Sequence, residues 1–219
     1  MNREELNGIG KDGIVSEGIF VRFPELVPVC REHYWREDGK HKKLLMVAES
    51  NYFNDADVPN SDFRDAERWY KAADAKLIPD YRRTAVSNDI GYKTFDKVFV
   101  LMGKVLDEYG IEHVEGLGEA AFYNYFLRPA YGRHFEPQPI DKEVAGEALS
   151  GIIHVIKPEL IVFLSKKACL AFDDYCQKKN LSFEGVHIEQ LVHPSSPWWN
   201  SYGCAAKFEN LLKEYWVNR

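Results

Sequence analysis

Residues 158–168 read PELIVFLSKKA and carry the pattern from which the fold class follows. The apolar run Leu160–Leu164 is too short for a helix, and its unbroken apolar character is typical of a strand buried on both faces of a sheet. Ser165 follows directly and can cap a helix that begins at Lys166. The stretch therefore predicts a strand that passes straight into a helix, which is the repeating unit of a parallel sheet.

The same alternation of short apolar strands and amphipathic helices extends from Leu44 to Trp216. Further strands are predicted at Leu44–Ala48, Ala120–Phe126 and His187–Val192. Further helices are predicted at about Thr94–Tyr109, Asp141–Ile156 and Gly203–Trp216, and Asp141 is the expected cap of the second. This order predicts an α/β fold of three layers, an α/β/α sandwich with a central four-stranded parallel sheet.

Length and composition restrict the class of protein. The chain of 219 residues predicts a single domain, with residues 1–43 forming an N-terminal arm packed on the rest. The formal net charge of −6 argues against a protein that coats nucleic acid by bulk electrostatics, but it leaves a local basic groove open. Four cysteines without a C-x-x-C pair argue against a disulfide scaffold, and the histidines lack metal-ligand spacing. Without a signal peptide or a membrane-spanning run, we expect a cytoplasmic protein.

Polar side chains follow all four predicted strands, which is more than a structural sheet requires. They are Glu49-Ser50-Asn51-Tyr52-Phe53, then Asn124, then Ser165-Lys166-Lys167, then His193-Pro194-Ser195-Ser196-Pro197. Ligands of a parallel sheet bind beyond the carboxyl ends of its strands. We therefore expect Glu49, Asn124 and His193 to converge on one cleft, although they are far apart in sequence.

These strand ends resemble motifs of the uracil-DNA glycosylase superfamily. Residues 193–197 are similar to the family's His-Pro-Ser-Pro loop after the last strand, with one residue inserted. Glu49 stands where some members have the glutamate of a Gly-Glu-Ala-Pro-Gly motif, whereas others would align an aspartate or asparagine with Ser50. Asn124 matches the asparagine at the end of a middle strand. Residues 158–168 resemble the family's Pro-x-x-Ile-x-x-Leu-Gly-x-x-Ala segment.

The resemblance covers roughly Leu44–Trp216 and implies a DNA glycosylase that hydrolyses the N-glycosidic bond of uracil or a related damaged base, with water as the nucleophile. It implies single- or double-stranded DNA as the partner and no metal or organic cofactor. Glu49 would orient the water and stabilise positive charge on the sugar, and His193 would donate to a carbonyl oxygen of the departing base. The simpler alternatives are a solvated carboxylate at Glu49 and a loop-fixing hydrogen bond at His193.

The resemblance also implies how a base and its DNA would be held. The implied base-binding residues are Ser50, Asn51, Tyr52, Phe53 and Asn124, with an aromatic ring stacking under a flipped base and the asparagine reading a pyrimidine edge. The implied DNA-binding residues are Ser165, Lys166, Lys167, Ser195, Ser196, Trp198 and Trp199. One tryptophan would wedge into the duplex, since two adjacent indoles are not comfortably buried on one face. The alternative for Asn124 is a buried structural asparagine tied to a neighbouring strand. Tyr52 and Phe53 would otherwise pack locally, and a tryptophan would otherwise anchor the loop or a subunit contact.

Two features of the sequence qualify this interpretation. Lys166 and Lys167 lie in the first turn of a predicted helix, where the helix dipole disfavours cations unless an anion is bound nearby, and this hints at a phosphate. The motif around Glu49 lacks the family's proline and glycines. The altered motif leaves a second function open, a non-catalytic superfamily member that binds nucleic acid, a nucleotide or a protein partner.

Overall fold

A computed structural model of the chain describes Phe20 and residues 26–30, 32–53, 64–71, 95–131 and 135–218. The strands are β1 (Val29–Cys30), β2 (Leu44–Phe53), β3 (Ala120–Tyr131), β4 (Leu160–Phe163) and β5 (His187–Gln190). The helices are α1 (Ala66–Lys71), α2 (Asp96–Glu108), α3 (Pro139–Ile156), α4 (Lys166–Lys179), α5 (Trp198–Ser201) and α6 (Cys204–Leu211). A 3₁₀ turn spans Glu32–Trp35, and α6 continues into a π-helical turn at Leu212–Trp216.

The described strands form one sheet in the order β1-β3-β2-β4-β5, which confirms the α/β class. Four of them, β3, β2, β4 and β5, run parallel. The sheet nevertheless has five strands rather than the four predicted, because Val29 and Cys30 of the arm pair antiparallel with Phe122 and Ala121 at the edge. A strand of two residues is too short to show any periodicity in the sequence.

β2 and β3 are both longer than their sequence patterns predict. They pair from Leu44 opposite Ala120 to Phe53 opposite Tyr131, so residues 49–53 continue a strand instead of opening a loop. The backbone hydrogen bonds of the partner strand override the polar composition of this segment. We expect a long loop from Glu49 to Asp62 from the many Asn, Asp and Ser residues there, and residues 54–62 of it lie outside the described residues.

Helices pack on both faces of the sheet. Phe122 and Phe163 pair with consecutive residues of β2 and therefore point to opposite faces. Phe95, at the start of α2, packs edge-on against Phe122 with ring centroids 4.9 Å apart. Phe172 of α4 packs against Phe163 at 5.8 Å on the other face. Among the described helices, none is both long and apolar enough to cross a membrane.

The first turns of α3 and α4 show how local sequence sets the helix starts. The hydroxyl of Ser165 accepts a hydrogen bond from the Ala168 N–H at 3.2 Å, which confirms it as the cap of α4. The cap of α3 is Gln138 rather than Asp141, so the helix begins earlier than predicted. Asp141 closes a capping box instead, because its carboxylate accepts from the Gln138 N–H at 2.8 Å.

Asp141 also forms a buried ion pair that joins β3 to α3. Arg128 and Asp141 both have fully buried side chains. Arg128 Nε donates to Asp141 Oδ1 at 2.9 Å, and its Nη2 donates to Oδ2. A bidentate pair of this kind fixes the end of β3 against the helix, because either charge left alone in the interior would be strongly unfavourable.

We expect Asp141→Asn to lower the free energy of unfolding by about 3–5 kcal/mol, because the variant keeps the shape but leaves the arginine without its counter-ion. Urea unfolding followed by circular dichroism measures the difference. Glu143→Gln is the matched control, since it removes the exposed Glu143–Lys179 pair from the same helix and is expected to have little effect. An equal loss of unfolding free energy in the two variants would show that the buried Arg128–Asp141 pair stabilises the fold no more than an exposed ion pair does.

The arm is attached to the sheet through Glu119, whose side chain is 1% exposed. His33 Nδ1 lies 2.6 Å and His41 Nε2 3.1 Å from its carboxylate, and the Val114 N–H donates to it at 2.9 Å. Arg36 donates to His33 Nε2 at 2.8 Å, so the His33 proton lies on Nδ1 and points at Glu119. Burial alone would raise the pKa of Glu119, but these hydrogen bonds outweigh it and lower the pKa from 4.5 to about 2.

A lowered pKa means that the Glu119 carboxylate stabilises the fold above pH 4.5, and that this contribution is lost as the pH falls from 4.5 towards 2. Over this range we expect the melting temperature of the wild type to fall more steeply than that of Glu119→Gln. Thermal unfolding of both proteins at several pH values is the measurement. If the melting temperatures of the two proteins fell in parallel with pH, the hydrogen bonds to the Glu119 carboxylate would add no stability to the fold.

Candidate functional site

The connections of the parallel strands leave β2 and β4 in opposite directions. From β2 the chain passes to β3 on one side, whereas from β4 it passes to β5 on the other side. Two adjacent strands whose connections diverge leave a crevice beyond their carboxyl ends, and ligands of open α/β sheets bind there. Glu49, near the end of β2, and Ser165, directly after β4, lie at this switch point.

The Glu49 carboxylate is held on both of its oxygens. Ser165 Oγ donates to Oε2 at 2.8 Å, and Lys167 Nζ lies 3.3 Å from Oε1. Lys167 Nζ also donates to the backbone carbonyl of Phe135 at 2.8 Å, which fixes the ammonium group in place. The Glu49 side chain is 19% exposed, so the carboxylate is oriented by protein contacts and still reaches solvent.

These contacts revise the roles expected for Ser165 and Lys167. Ser165 is buried and gives its single hydroxyl proton to Glu49, so it positions the carboxylate and has no proton left for a DNA phosphate. The anion that compensates Lys167 in the first turn of α4 is Glu49, which removes the need for a bound phosphate there. Lys166 is exposed and is the cation of this turn that faces solvent.

His193 follows β5 and presents a donor from a neutral ring. The Ser195 N–H lies 3.2 Å from His193 Nδ1, and the Ser195 hydroxyl lies 2.7 Å from the same nitrogen. Because a backbone N–H can only donate, Nδ1 is the acceptor and the proton of the neutral imidazole lies on Nε2. Burial lowers the pKa of His193 from its usual 6.5, and attraction to the Glu49 carboxylate opposes this only in part. The ring is therefore neutral at pH 7.

The loop that carries His193 is fixed by further contacts. The imidazole packs edge-on against Phe95 with centroids 5.7 Å apart, and Lys97 Nζ donates to the Pro194 carbonyl at 3.4 Å. Ser196 Oγ accepts from the Trp198 N–H at 3.2 Å and shapes the turn into α5. The side chains of Ser195 and Ser196 thus already make hydrogen bonds within the loop.

Two buried asparagines meet where β2 and β3 change register. Asn124 Nδ2 donates to Asn51 Oδ1 at 2.6 Å, and the pairing of the strands is irregular between Ser50 and Tyr52. Ser50, Asn51 and Asn124 are all buried. The side chains of Tyr52 and Phe53, expected to stack on a base, lie outside the part of the chain that the structure describes.

Glu49, Asn124 and His193 all lie toward the carboxyl ends of their strands, and Glu49 is close enough to His193 to act on its pKa. Asn124 pairs with Ala48, so its side chain points to the face of the sheet opposite Glu49, and the expected convergence of all three side chains on one cleft does not follow from the register. Sequence reasoning missed that Lys167 and Ser165 bind Glu49. Their position directly after β4, next to β2, was the available signal, because the ends of adjacent parallel strands lie side by side.

The two adjacent tryptophans have opposite environments. Trp199 is 1% exposed and packs near Phe208, with centroids 6.3 Å apart, so it belongs to the core and cannot contact DNA as expected. Trp198 is 52% exposed and lies beside Tyr202 at 4.7 Å, and Tyr202 is itself 68% exposed. An exposed aromatic pair therefore lies just beyond the His193 loop, and the sequence pattern did not identify its second member.

We expect Trp199→Ala to lower the free energy of unfolding by about 3–5 kcal/mol, as large-to-small substitutions of buried tryptophan do. Trp198→Ala is the matched control and is expected to leave the melting temperature nearly unchanged, because the removed side chain is half exposed. Chemical denaturation of both variants measures the difference. A loss at Trp198 as large as that at Trp199 would assign both rings to the core.

Within the described ranges, no three His, Cys, Asp or Glu side chains are grouped so as to hold a metal ion. No protein-family model matches the chain, and no curated protein matches it either.

Proposed function

We propose that the chain is a DNA glycosylase that hydrolyses the N-glycosidic bond of uracil or a related damaged base, with water as the nucleophile. The observation that carries the proposal is the Glu49 carboxylate, held by Ser165 and Lys167 beside a neutral His193. We assign the fold to the uracil-DNA glycosylase superfamily, as a three-layer sandwich in which β1 adds an antiparallel edge strand to the four parallel ones.

Glu49 acts on the water and on the sugar. The bond between sugar and base breaks with positive charge developing on the sugar, and a fixed carboxylate stabilises that charge. Ser165 and Lys167 each occupy one direction at its oxygens, so the directions of the remaining lone pairs are set. A carboxylate fixed in this way also orients a water molecule as a general base.

His193 acts on the leaving base. Negative charge accumulates on a carbonyl oxygen of the base as it departs, and Nε2–H donates a hydrogen bond to that oxygen. The ring needs to be neutral with its proton on Nε2, and the Ser195 N–H at Nδ1 selects this tautomer. Burial lowers the pKa of His193 and therefore favours the neutral ring at pH 7.

The exposed groups around the site fit a nucleic-acid strand. Trp198 and Tyr202 offer aromatic faces for stacking or wedging next to the His193 loop. Lys166 offers an exposed ammonium group at the start of α4, beside Glu49 and Lys167. These groups support a local DNA contact in a protein whose formal net charge is −6.

A second candidate is a non-catalytic superfamily member that binds a nucleic acid, a nucleotide or a protein. The ion pair between Glu49 and Lys167 favours it, because the ammonium group offsets the negative charge that would stabilise a sugar cation. In this case the same crevice would hold its ligand without bond cleavage.

The experiment is a cleavage assay on oligonucleotides that each carry one modified base, in single- and double-stranded form. Glu49→Gln is expected to slow base release about 10²-fold or more, the usual scale for general acid–base groups. DNA binding should stay nearly intact, because the Glu49 carboxylate repels the DNA phosphates and its removal therefore costs no attractive contact. Glu143→Gln is the matched control, because the Glu143 carboxylate also pairs with a lysine of α4, the helix that carries Lys167, and this variant should cleave like the wild type.

The outcomes separate the two candidates. A Glu49→Gln protein as fast as the wild type would remove Glu49 from the mechanism. Tight DNA binding without release of any base from the panel would leave the non-catalytic candidate as the function.

A further inference from the structure

A groove with apolar walls lies between α2 and the segment 113–119, which leads into β3. Its volume is about 460 Å³, within the range of about 300–1,000 Å³ that is usual for ligand sites. Its apolar lining side chains are Phe99, Val100, Met102, Leu106 and Val114. None of the described residues that surround Glu49 lines it, so the groove is separate from the candidate functional site.

The two valines of the groove are exposed on opposite walls. Val100 of α2 is 69% exposed and Val114 of the facing segment is 50% exposed, whereas the other apolar lining residues are buried. A single exposed valine is ordinary on a protein surface. Two that face one groove form a continuous apolar surface that a partner can cover.

α2 presents one stripe of its surface to the groove. The stripe consists of Asp96, Val100, Gly103 and Asp107. At 3.6 residues per turn these four positions lie on the same face of the helix. Asp96 and Asp107 are the ends of the stripe, about 16 Å apart at a rise of 1.5 Å per residue. A carboxylate therefore lies at each end of the apolar groove.

Close contacts at two glycines hold the walls of the groove. A β-carbon at Gly103 would lie 3.1 Å from His113 Cε1, so the absence of a side chain on α2 leaves room for the His113 ring. A β-carbon at Gly118 would lie 2.8 Å from Val114 Cβ, so the facing segment folds back tightly on Val114. The Val114 N–H also donates to Glu119 at 2.9 Å. The groove is thus preformed, which lowers the entropic cost of binding.

The charges that line the groove are mostly negative. The acidic lining residues are Asp96, Asp107, Glu115 and the buried Glu119. The lysine of the lining, Lys104, is already paired with Glu209 at 2.9 Å. In the part of the chain that the structure describes, Asp96 and Glu115 make no ion pair. Basic groups of a partner therefore complement the groove in charge.

We infer that this groove docks a segment of a partner protein in which apolar side chains are flanked on both sides by lysine or arginine. The apolar side chains cover Val100 and Val114, and the basic ones pair with the carboxylates at the ends of the groove. A span of about 16 Å corresponds to about five residues of extended chain. Nucleic acid does not fit here, because the same carboxylates repel phosphate. The inference goes beyond the proposed function and does not depend on it.

The test uses the synthetic peptide Lys-Leu-Ala-Leu-Lys with blocked termini. It is titrated into the whole chain labelled with nitrogen-15, and the amide signals are followed by NMR. We expect saturable shifts that are largest at Val100, Gly103 and Val114. Glu-Leu-Ala-Leu-Glu reverses the charges and Lys-Ser-Ala-Ser-Lys removes the apolar side chains. Each of these two peptides is expected to bind at least about tenfold more weakly.

One pair of double variants tests the charges. Asp96→Asn/Glu115→Gln should weaken binding of Lys-Leu-Ala-Leu-Lys about threefold or more, because two weak ion pairs are lost. Glu147→Gln/Glu184→Gln is the matched control, since it removes two exposed carboxylates outside the groove. It changes the net charge of −6 by the same amount and should bind like the wild type, so general attraction of a basic peptide is subtracted.

A second pair tests the apolar walls. Val100→Ser/Val114→Ser should weaken binding of the same peptide at least about tenfold, because the apolar surface of both walls is lost. Leu170→Ser/Leu181→Ser is the matched control, because these leucines are 56% and 41% exposed and lie outside the groove. It should bind like the wild type. All four positions are exposed, so both variants are expected to keep the fold, and their melting temperatures check this.

The inference is overturned if Lys-Leu-Ala-Leu-Lys does not bind, if either matched peptide binds equally well, or if a groove variant and its control bind alike. Sedimentation velocity tests a second copy of the chain as the occupant. A wild type that is dimeric without peptide and becomes monomeric as Val100→Ser/Val114→Ser would also overturn the inference. Release of a base from DNA, or its failure, leaves these expectations unchanged.

Discussion

The hydrogen bond from Ser165 to Glu49 joins the ends of two adjacent parallel strands, and the candidate site depends on it. Ser165 accepts from the first turn of α4 while it donates to the carboxylate, so the start of the helix and the orientation of Glu49 are set by one hydroxyl. The same turn places Lys167 against the second carboxylate oxygen. A site assembled from strand ends and a capped helix is preorganised, because its dipoles do not need to reorient when charge develops.

Buried charged side chains follow one pattern in the part of the chain that the structure describes. Arg128 pairs with Asp141, and Glu119 accepts from two histidines and a backbone N–H, so each buried charge is matched within the protein. At the switch point Glu49 is matched in the same way, by Lys167 and by the hydroxyl of Ser165.

The parts of the fold that the sequence predicted are those that depend on local patterns. β4, α4 and the Ser165 cap follow from an apolar run and a hydroxyl before a helix, and the structure confirms all three. β1 and the extension of β2 to Phe53 depend on pairing with β3, which leaves no periodicity to detect. The contact between Asn51 and Asn124 depends on a register irregularity in the pairing of β2 with β3, so composition and spacing do not predict it. The sequence led us to expect both adjacent tryptophans among the DNA-binding residues, and the burial of Trp199 depends on how α5 packs against α6, which no local pattern shows.

In the proposed reaction, water oriented at Glu49 breaks a glycosidic bond at the end of β2. Isotope labelling follows the oxygen atom of that water into the product. A duplex with a single deoxyuridine is incubated with the protein in water enriched in oxygen-18, and the products are analysed by mass spectrometry. Hydrolysis by water predicts that the abasic sugar gains the label faster than a preformed abasic duplex does by exchange of its hemiacetal oxygen with water, and that the released uracil carries none. An intact oligonucleotide, or an abasic sugar without label, would contradict hydrolysis by water at this site.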